Sequence, residues 1–438
     1  MRQAEGTSDE QQTGARLLAL MERLYPICRS ITGPGVRETL AIVAESIPLQ
    51  VQAVNSGTEV FDWTIPNEWT IREAYVANST GHRVIDFKAH TLHVLNYATP
   101  IRARMSLEAL KPHLFTLPDQ PDRIPYRTSY YNENWGFCLS HNALIALSED
   151  EYEVVIDSTL EPGVLNYGEC LIPGEDDEEI LISTHICHPS LANDNLSGIA
   201  IATELAARLA AGPKQRYGVR FLFVPGTIGA IAWLARNEAT VHKIKHGLVL
   251  TGLGDAGPLI YKQTKRAGAK IDRVATHVLK HWPTPSRIIP FDPYGYDERQ
   301  YGSPGFNLGV GRLTRTPHGT FKEYHTSGDN LSFVQPNQLV DALAAIATML
   351  DVLDRDRTYL NQNPKGEPRL GKRGLYRAVA GQAERQAQEM ALLWTLTYSD
   401  GQDSLLEIAE RAQRPFAEIA TAAEALVNAG LLRERQAN

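Results

Sequence analysis

Residues 178–212 read EEILISTHICHPSLANDNLSGIAIATELAARLAAG, and this stretch decides the fold class. Its first part carries a continuous apolar run, which is typical of a buried strand, and its second part predicts a helix closed by Gly212. The later stretches VRFLFVPG and HGLVLTGLG predict further strands, and a helical pattern follows each of them. Strands that alternate with helices of about 10–15 residues predict an α/β fold, with a mainly parallel mixed sheet flanked by helices.

The predicted domains differ in residue composition and in the pattern of predicted strands and helices. Residues 58–160 contain short β-branched and aromatic stretches separated by turn signals, and they predict a β-rich domain inserted into the α/β domain. The α/β domain is predicted at residues 1–57 and 161–365, and a charged linker is predicted at about residues 354–374. Helical patterns in residues 372–438 predict a winged-helix module. We expect the inserted domain to overhang the strand ends that carry the site described below.

Composition excludes several classes of protein. The 438 residues are 43% hydrophobic and 21% charged, which is the balance of a globular protein rather than a disordered chain. The 51 acidic residues outnumber the 43 basic ones, so a chain-wide nucleic-acid interface, which requires an excess of lysine and arginine, is not expected. The sequence shows no CxxC spacing, no signal-peptide pattern and no apolar stretch of transmembrane length. We therefore expect a cytoplasmic protein that does not enter a membrane.

Two histidine-bearing segments predict a metal site. His185 and His188 follow the predicted strand, and Asp194 lies just before the helix that begins near Ser197. Open α/β sheets place their ligands at the carboxyl ends of such strands, and imidazole with carboxylate is a typical ligand set for catalytic zinc. The later segment EYHTSGDN adds His325 as a candidate third ligand. The HxxH spacing alone is a weak signal, so the prediction depends on both segments.

These residues also carry a resemblance to a known family. His185, the motif NDNLSG at 193–198 and the motif YHT at 324–326 resemble the zinc-dependent aminopeptidases with a phosphorylase/hydrolase-like α/β fold. The chain is more similar to a bacterial branch of aminopeptidase-like proteins with a winged-helix tail, through the segments RSITGPGVRETL, VFDWTIPNEWTIREAYV and YGYDERQYGSPGFNLGVG. The resemblance covers almost the whole chain. It implies a zinc-dependent amide hydrolase that acts on a small peptide or an aminoacyl conjugate.

The chain departs from the two-zinc pattern of that family. The family's His-x-Asp motif reads HIC here, at 185–187, and Gly226 and Thr227 stand where the family has two adjacent glutamates, a general base and a metal ligand. Another ligand aspartate of the family falls near Thr251, with Asp255 as a candidate substitute. Because several carboxylates are missing, the resemblance implies one zinc rather than two.

The resemblance implies that His185, Asp194 and His325 hold this zinc ion. His188 is a fourth candidate ligand, and it is also a candidate proton-transfer group because it lies three residues from His185. The missing glutamate matters for the reaction, because hydrolysis of an amide needs a group that takes a proton from water and delivers it to the leaving amine.

The loop YDERQY supplies the candidates for this proton transfer. Asp297 matches an acid that supports the metal ligands of the aminopeptidases, and Glu298 is a candidate general base or an anchor for the substrate amine. Arg299 is a candidate clamp for a substrate carboxylate or a salt-bridge partner of Asp297. Tyr324, beside the predicted ligand His325, is a candidate substrate contact.

Two other functions stay open at the level of the sequence. The same scaffold could catalyse an acyl-transfer cyclisation, in which zinc polarises a carbonyl and no hydrolytic water is needed. Alternatively, Gly226 in place of the base would fit a protein that binds a small ligand or a partner without catalysis. The stretch FAEIATAAEALVNAG of the winged-helix module lacks a basic stripe, so docking or dimerisation is expected there rather than nucleic-acid binding, and a homo-oligomer stays open.

Overall fold

The computed structural model describes residues 8–375 and 382–435. The described chain divides into two compact units. The first unit contains the chain up to Ala267 together with Arg287–Leu343, and the second contains Gly268–Ser286 and the chain from Ala344 onward. None of the helices in these residues combines the length and the apolar character that a membrane crossing requires.

Helices and strands share the chain in the alternating order that the sequence predicts for its middle part. The α-helices are α1 (Ser8–Leu24), α2 (Pro34–Ala44), α3 (Leu107–Leu110), α4 (His141–Ile145), α5 (Ser197–Ala211), α6 (Ile228–Asn237), α7 (Lys270–Lys280), α8 (Glu298–Tyr301), α9 (Pro336–Arg355), α10 (Gln382–Tyr398), α11 (Leu405–Ala412) and α12 (Phe416–Asn428). The strands are β1 (Gln50–Asn55), β2 (Glu59–Val60), β3 (Trp63–Thr64), β4 (Glu68–Ala77), β5 (Arg83–Asp86), β6 (Ile101–Ser106), β7 (Leu114–Phe115), β8 (Phe137–Cys138), β9 (Glu151–Glu161), β10 (Val164–Ile172), β11 (Glu179–His185), β12 (Gly218–Val224), β13 (Ile244–Leu250), β14 (Leu259–Lys262), β15 (Ser286–Ile289), β16 (Val310–Thr314), β17 (Thr358–Asn361), β18 (Asp400–Ser404) and β19 (Leu432–Glu434).

The largest sheet of the described residues is an eight-stranded mixed sheet with the order β1-β10-β12-β11-β13-β16-β14-β15. Its central pairings, β12 with β11, β11 with β13 and β13 with β16, are parallel. The pairings of β1 with β10, β10 with β12 and β14 with β16 are antiparallel. This sheet and the helices that flank it confirm the predicted α/β fold class.

Strand β11 lies in the middle of the parallel region, and all seven of its residues are buried. A strand that is covered on both faces needs apolar side chains along its length, which explains the continuous apolar run in the sequence. Because β11, β13 and β16 run in the same direction, their last residues His185, Leu250 and Thr314 lie along one edge of the sheet. This edge is where an open α/β sheet places its site.

A second, four-stranded antiparallel sheet with the order β5-β4-β9-β6 lies in the segment that the sequence predicts to be β-rich. Strands β4 and β9 pair along nearly their whole length. Trp69 of β4 is buried, and its indole N–H donates to the carbonyl oxygen of Ala98 at 2.9 Å, which satisfies the one polar atom of this core side chain. The exact domain boundaries at residues 58 and 160 stay a prediction.

The second unit contains α10, α11 and α12 together with a three-stranded sheet of the order β18-β17-β19. The hydroxyl of Ser404 and the carboxylate of Glu407 form a capping box at the start of α11. The prediction of a linker is wrong at Thr358–Asn361, because these residues form β17 and pair with both neighbouring strands. Helix α12 contains no lysine or arginine, and it exposes Glu418 and Glu424.

Candidate metal centre

The four candidate metal ligands lie together at the carboxyl edge of the large sheet. His185 is the last residue of β11, and His188 follows in the loop that leaves this strand. Asp194 lies in the turn that leads into α5, and His325 lies in the loop between β16 and α9. His185, His188 and Asp194 are buried, whereas the side chain of His325 is 31% exposed.

The carboxylate of Asp194 lies between imidazole rings. Its Oδ1 atom is 2.7 Å from Nε2 of His185 and 3.6 Å from Nδ1 of His188, and its Oδ2 atom is 3.1 Å from Nε2 of His325. Nε2 of His185 and Nδ1 of His188 are themselves 3.0 Å apart. Two ring nitrogens that face each other repel through their lone pairs unless a proton or a metal ion lies between them, so the arrangement suits a bound cation.

The chemistry of these donors fits zinc. His185, His188 and Asp194 are the group of metal-binding side chains found among the described residues, with ligand atoms within 4.8 Å of one another. Imidazole nitrogen and carboxylate oxygen are both zinc ligands. Burial lowers the pKa of His188 and of His325, although Asp194 opposes this shift, so both rings are neutral at pH 7 and can bind a metal.

The turn that presents Asp194 is held by a second carboxylate, that of Asp329. Asp329 accepts hydrogen bonds from the backbone N–H groups of Asn193 at 2.5 Å and of Asp194 at 2.9 Å. Asp255, which the sequence offers as a substitute metal ligand, is engaged elsewhere. It accepts hydrogen bonds from the side-chain amide of Asn193 at 2.9 Å and from the hydroxyl of Thr316 at 2.6 Å.

Tyr126, from the β-rich segment, contacts two of the candidate ligands and was not predicted from the sequence. Its backbone N–H donates to the carbonyl oxygen of His325 at 2.7 Å. Its ring packs edge-on against the rings of His188 and His325, with centroids 5.1 and 5.0 Å away, and its hydroxyl lies 2.9 Å from that of Tyr130. The one signal in the sequence is the tyrosine-rich stretch YRTSYYNENW.

The ring of Tyr296 fills the space beside Gly226. A Cβ atom at Gly226 would lie only 2.1 Å from Cε1 of Tyr296, so a side chain at position 226 has no room. The Tyr296 ring lies 4.2 Å from that of His185, and its hydroxyl is 3.4 Å from Nε2 of His188. Cys187 lies against the carbonyl of Gly226, and burial raises the pKa of its thiol to about 12, which disfavours a thiolate ligand.

The two acids of the YDERQY loop are both buried but have different surroundings. Neither carboxyl oxygen of Asp297 has a hydrogen-bond partner among the described residues, and burial raises its pKa well above the ordinary value. Glu298 forms ion pairs with Lys262 at 3.0 Å and with Arg312 at 3.3 Å, and it accepts the backbone N–H of Tyr296 at 3.0 Å. The catalytic roles predicted for these two acids stay predictions.

The two candidate substrate contacts lie in different places. Arg299 is exposed at the start of the short helix α8. Tyr324 is half-buried, and its ring stacks on that of His325 with centroids 3.9 Å apart and an angle of 14° between the planes. The structure thus brings Tyr324 to a candidate metal ligand, whereas the substrate roles of both residues stay predictions.

The large sheet with its flanking helices and the C-terminal module define a protein with an aminopeptidase-like α/β fold and a winged-helix tail. A family model described as a domain of unknown function (DUF4910) matches residues 18–356, and a winged helix-turn-helix model matches residues 357–434. Because the DUF4910 model matches more than half of the chain, the chain belongs to the DUF4910 family.

Solved and curated relatives agree with this architecture. A protein of Clostridium acetobutylicum, provisionally named a polysaccharide biosynthesis protein with aminopeptidase-like domain, is 50% identical over 425 residues, which cover 97% of this chain and 98% of the relative. The crystal structure of a provisionally assigned peptidase from Clostridium acetobutylicum has a TM-score of 0.93 at 49% identity and covers 98% of both chains. BSAP, a zinc aminopeptidase from Bacillus subtilis, shares the fold with a TM-score of 0.58 at 11% identity, covering 78% of this chain and 94% of that one.

The ligand set predicts the metal content of the protein. We expect about one zinc ion per chain, because the described residues bring together one ligand set. His325→Ala should lose most of this zinc, whereas His242→Ala, an exposed histidine before the amino end of β13, should keep it. Elemental analysis of the purified variants measures this. Two tightly held zinc ions in the native protein, or unchanged zinc in His325→Ala, would contradict the assignment.

The contact between Gly226 and Tyr296 predicts an energetic coupling. Gly226→Ala should lower the free energy of unfolding by about 1–3 kcal/mol, because the new methyl group overlaps the tyrosine ring. The same change should cost clearly less in a Tyr296→Ala background, where the ring is absent. Urea unfolding of the four proteins in this cycle measures the difference. An equal cost in both backgrounds would show that the two residues do not compete for this space.

Proposed function

We propose that this protein is a zinc-dependent hydrolase of an amide bond in a small peptide or an aminoacyl conjugate. The observation that supports this most directly is the convergence of His185, His188, Asp194 and His325 at the carboxyl edge of the sheet. The name of the Clostridium acetobutylicum relative refers to polysaccharide biosynthesis, and it favours an aminoacyl or acyl conjugate of a sugar as the substrate.

The chain's own residues would hold the metal and orient the substrate. When zinc is bound, it polarises the substrate carbonyl and lowers the pKa of water. Asp194 provides the single anionic ligand, and the three imidazoles complete the set. His325 is the most exposed of the four at 31%, so we place the substrate on its side, where Tyr324 stacks on the ring and restrains its orientation.

We assign proton transfer to Asp297 and a supporting role to Glu298. Burial raises the pKa of Asp297 well above its ordinary value, which favours the protonated carboxyl, and neither of its oxygens has a hydrogen-bond partner among the described residues. Asp297 directly follows Tyr296, whose ring lies 4.2 Å from that of His185, so this loop borders the centre. Glu298, although burial opposes it, is kept ionised by Arg312 and Lys262, which lower its pKa and fix the loop.

A function in binding alone is favoured by one observation. The position that matches the family's general base is Gly226, which has no side chain, and the Tyr296 ring fills the space that a side chain there would need. An acyl-transfer cyclisation needs no hydrolytic water and would fit the same closure. These alternatives predict, respectively, no turnover and a cyclised product.

Hydrolysis should be detectable and should depend on the metal. We expect products from a panel of dipeptides and aminoacylated amino sugars, followed by mass spectrometry, and 1,10-phenanthroline should abolish the turnover until zinc is restored. Asp297→Asn should slow the reaction by about 10²–10⁴-fold with unchanged zinc, because a side-chain amide can neither take a proton from water nor deliver one to the leaving amine. Glu298→Gln serves as the comparison and should chiefly lower the unfolding temperature, because Lys262 and Arg312 lose their anionic partner.

The outcomes separate the alternatives. Turnover that persists unchanged in the presence of 1,10-phenanthroline would refute the metal-dependent mechanism. An Asp297→Asn variant with the parental rate would refute the assignment of the proton-transfer group.

A further inference from the structure

A buried cluster near the metal centre contains more positive than negative charge. Lys262 and Arg312 are almost fully buried, and both pair with the same carboxylate, that of Glu298, at 3.0 and 3.3 Å. The Nε atom of Arg312 is buried without a hydrogen-bond partner among the described residues. One carboxylate cannot neutralise two cations, so the cluster carries an excess of about one positive charge in a medium of low dielectric constant.

A row of rings connects this cluster to the candidate ligand His325. The ring of Tyr324 stacks on His325 at 3.9 Å, and the ring of His318 lies 6.2 Å beyond Tyr324. Tyr294, which is 74% exposed, lies 5.2 Å from His318 at the outer end of the row. His318 is half-buried and therefore stands between the metal centre and solvent.

The contact between Arg312 and His318 fixes the proton on the histidine ring. Nη1 of Arg312 is 3.0 Å from Nδ1 of His318, and because a guanidinium can only donate, Nδ1 must accept. The ring proton of the neutral imidazole therefore lies on Nε2, which faces away from Arg312. Burial, and then Arg312, lower the pKa of His318 to about 4, so this neutral tautomer is the form present at pH 7.

We propose that His318 determines substrate specificity by donating a hydrogen bond from its Nε2–H to a carboxylate oxygen of the substrate. The positive charges of Arg312 and Lys262, on the other side of the His318 ring, attract the same carboxylate. This inference rests on the proposed function and narrows its substrates to amides that carry a carboxylate near the bond that is broken. The centre adds to the attraction, since one divalent zinc and one aspartate leave an excess of one positive charge. Asp292 accepts the backbone N–H of Tyr294 at 2.6 Å, and its charge acts on Lys262 and Arg312, but it is exposed and water screens it.

The inference is tested by binding rather than by turnover. The probes are glycylalanine with its amide, glycylalaninamide, and N-acetylmuramic acid with its methyl ester, so that each pair differs in one negative charge at the carboxyl group. Calorimetry on the zinc-loaded full chain should show the acid of at least one pair binding about 10–100-fold more tightly than its neutral partner, which is the usual effect of a hydrogen bond to a charged group.

Variants of His318 test whether this residue binds the carboxylate of the probes. His318→Ala should bring the acid and the neutral probe to nearly equal affinity, whereas His318→Gln, which keeps an N–H donor, should retain part of the preference. His318→Phe keeps a ring in the row and removes the proton, so it replaces His318→Ala if that variant does not fold. The exposed His242→Ala is the control and should leave the preference unchanged. Zinc content and unfolding temperature are measured for each variant.

The possible results distinguish this inference from the proposed function. Preference for the acids without any hydrolysis would refute the hydrolase and support the role of His318. Equal affinity within both pairs, failure of all four probes to bind at millimolar concentration, or an unchanged preference in His318→Ala and His318→Phe would overturn the inference, whether or not amides are hydrolysed.

Discussion

The edge of the sheet depends on one buried carboxylate, that of Asp194, which lies among three imidazole rings. An isolated anion in such a place costs several kcal/mol unless positive charge compensates it. Burial keeps His188 and His325 neutral at pH 7, so these rings supply lone pairs rather than charge. A divalent cation would supply the positive charge that compensates the carboxylate and the acceptor that the ring lone pairs need. Binding of a metal at this candidate site would therefore be coupled to the stability of this edge.

The polar motif around Asp194 ties separate parts of the chain to this point. Asp329 binds the turn through two backbone N–H groups, and it belongs to the same loop as His325. The side-chain amide of Asn195 donates to Thr184 at 2.7 Å and to the carbonyl oxygen of His185 at 3.2 Å, which joins the turn to the end of β11. Each residue of the NDN motif thus has a structural task, and the turn cannot shift without moving two of the candidate ligands.

The sequence predicts the parts of the site that are local and misses those that depend on packing between distant segments. Strand β11 and helix α5 follow from periodicity, and His185 with Asp194 follows from their positions at the strand end and helix start. The sequence offers His325 as a candidate third ligand, but it lies 131 positions from Asp194, so the resemblance was needed to place the two together. For Tyr126 the sequence offers only a tyrosine-rich stretch, and for the filling of the Gly226 position by Tyr296 it offers no signal, since both depend on tertiary contacts. Glu298 stands in a charged stretch that reads as solvated, yet Lys262 and Arg312 keep it buried.

The replacement at Gly226 changes the charge of the centre as well as its shape. In place of an acidic side chain, the chain puts the neutral ring of Tyr296 next to His185. Burial raises the pKa of Asp297, the acid of the YDERQY loop that forms no ion pair among the described residues, and so disfavours a negative charge there. Asp194 is the carboxylate that lies among the rings of the candidate ligands. Since Arg312 and Lys262 exceed their single partner Glu298 nearby, the same substitution that removes a general base also makes the surroundings of the metal more attractive to an anion.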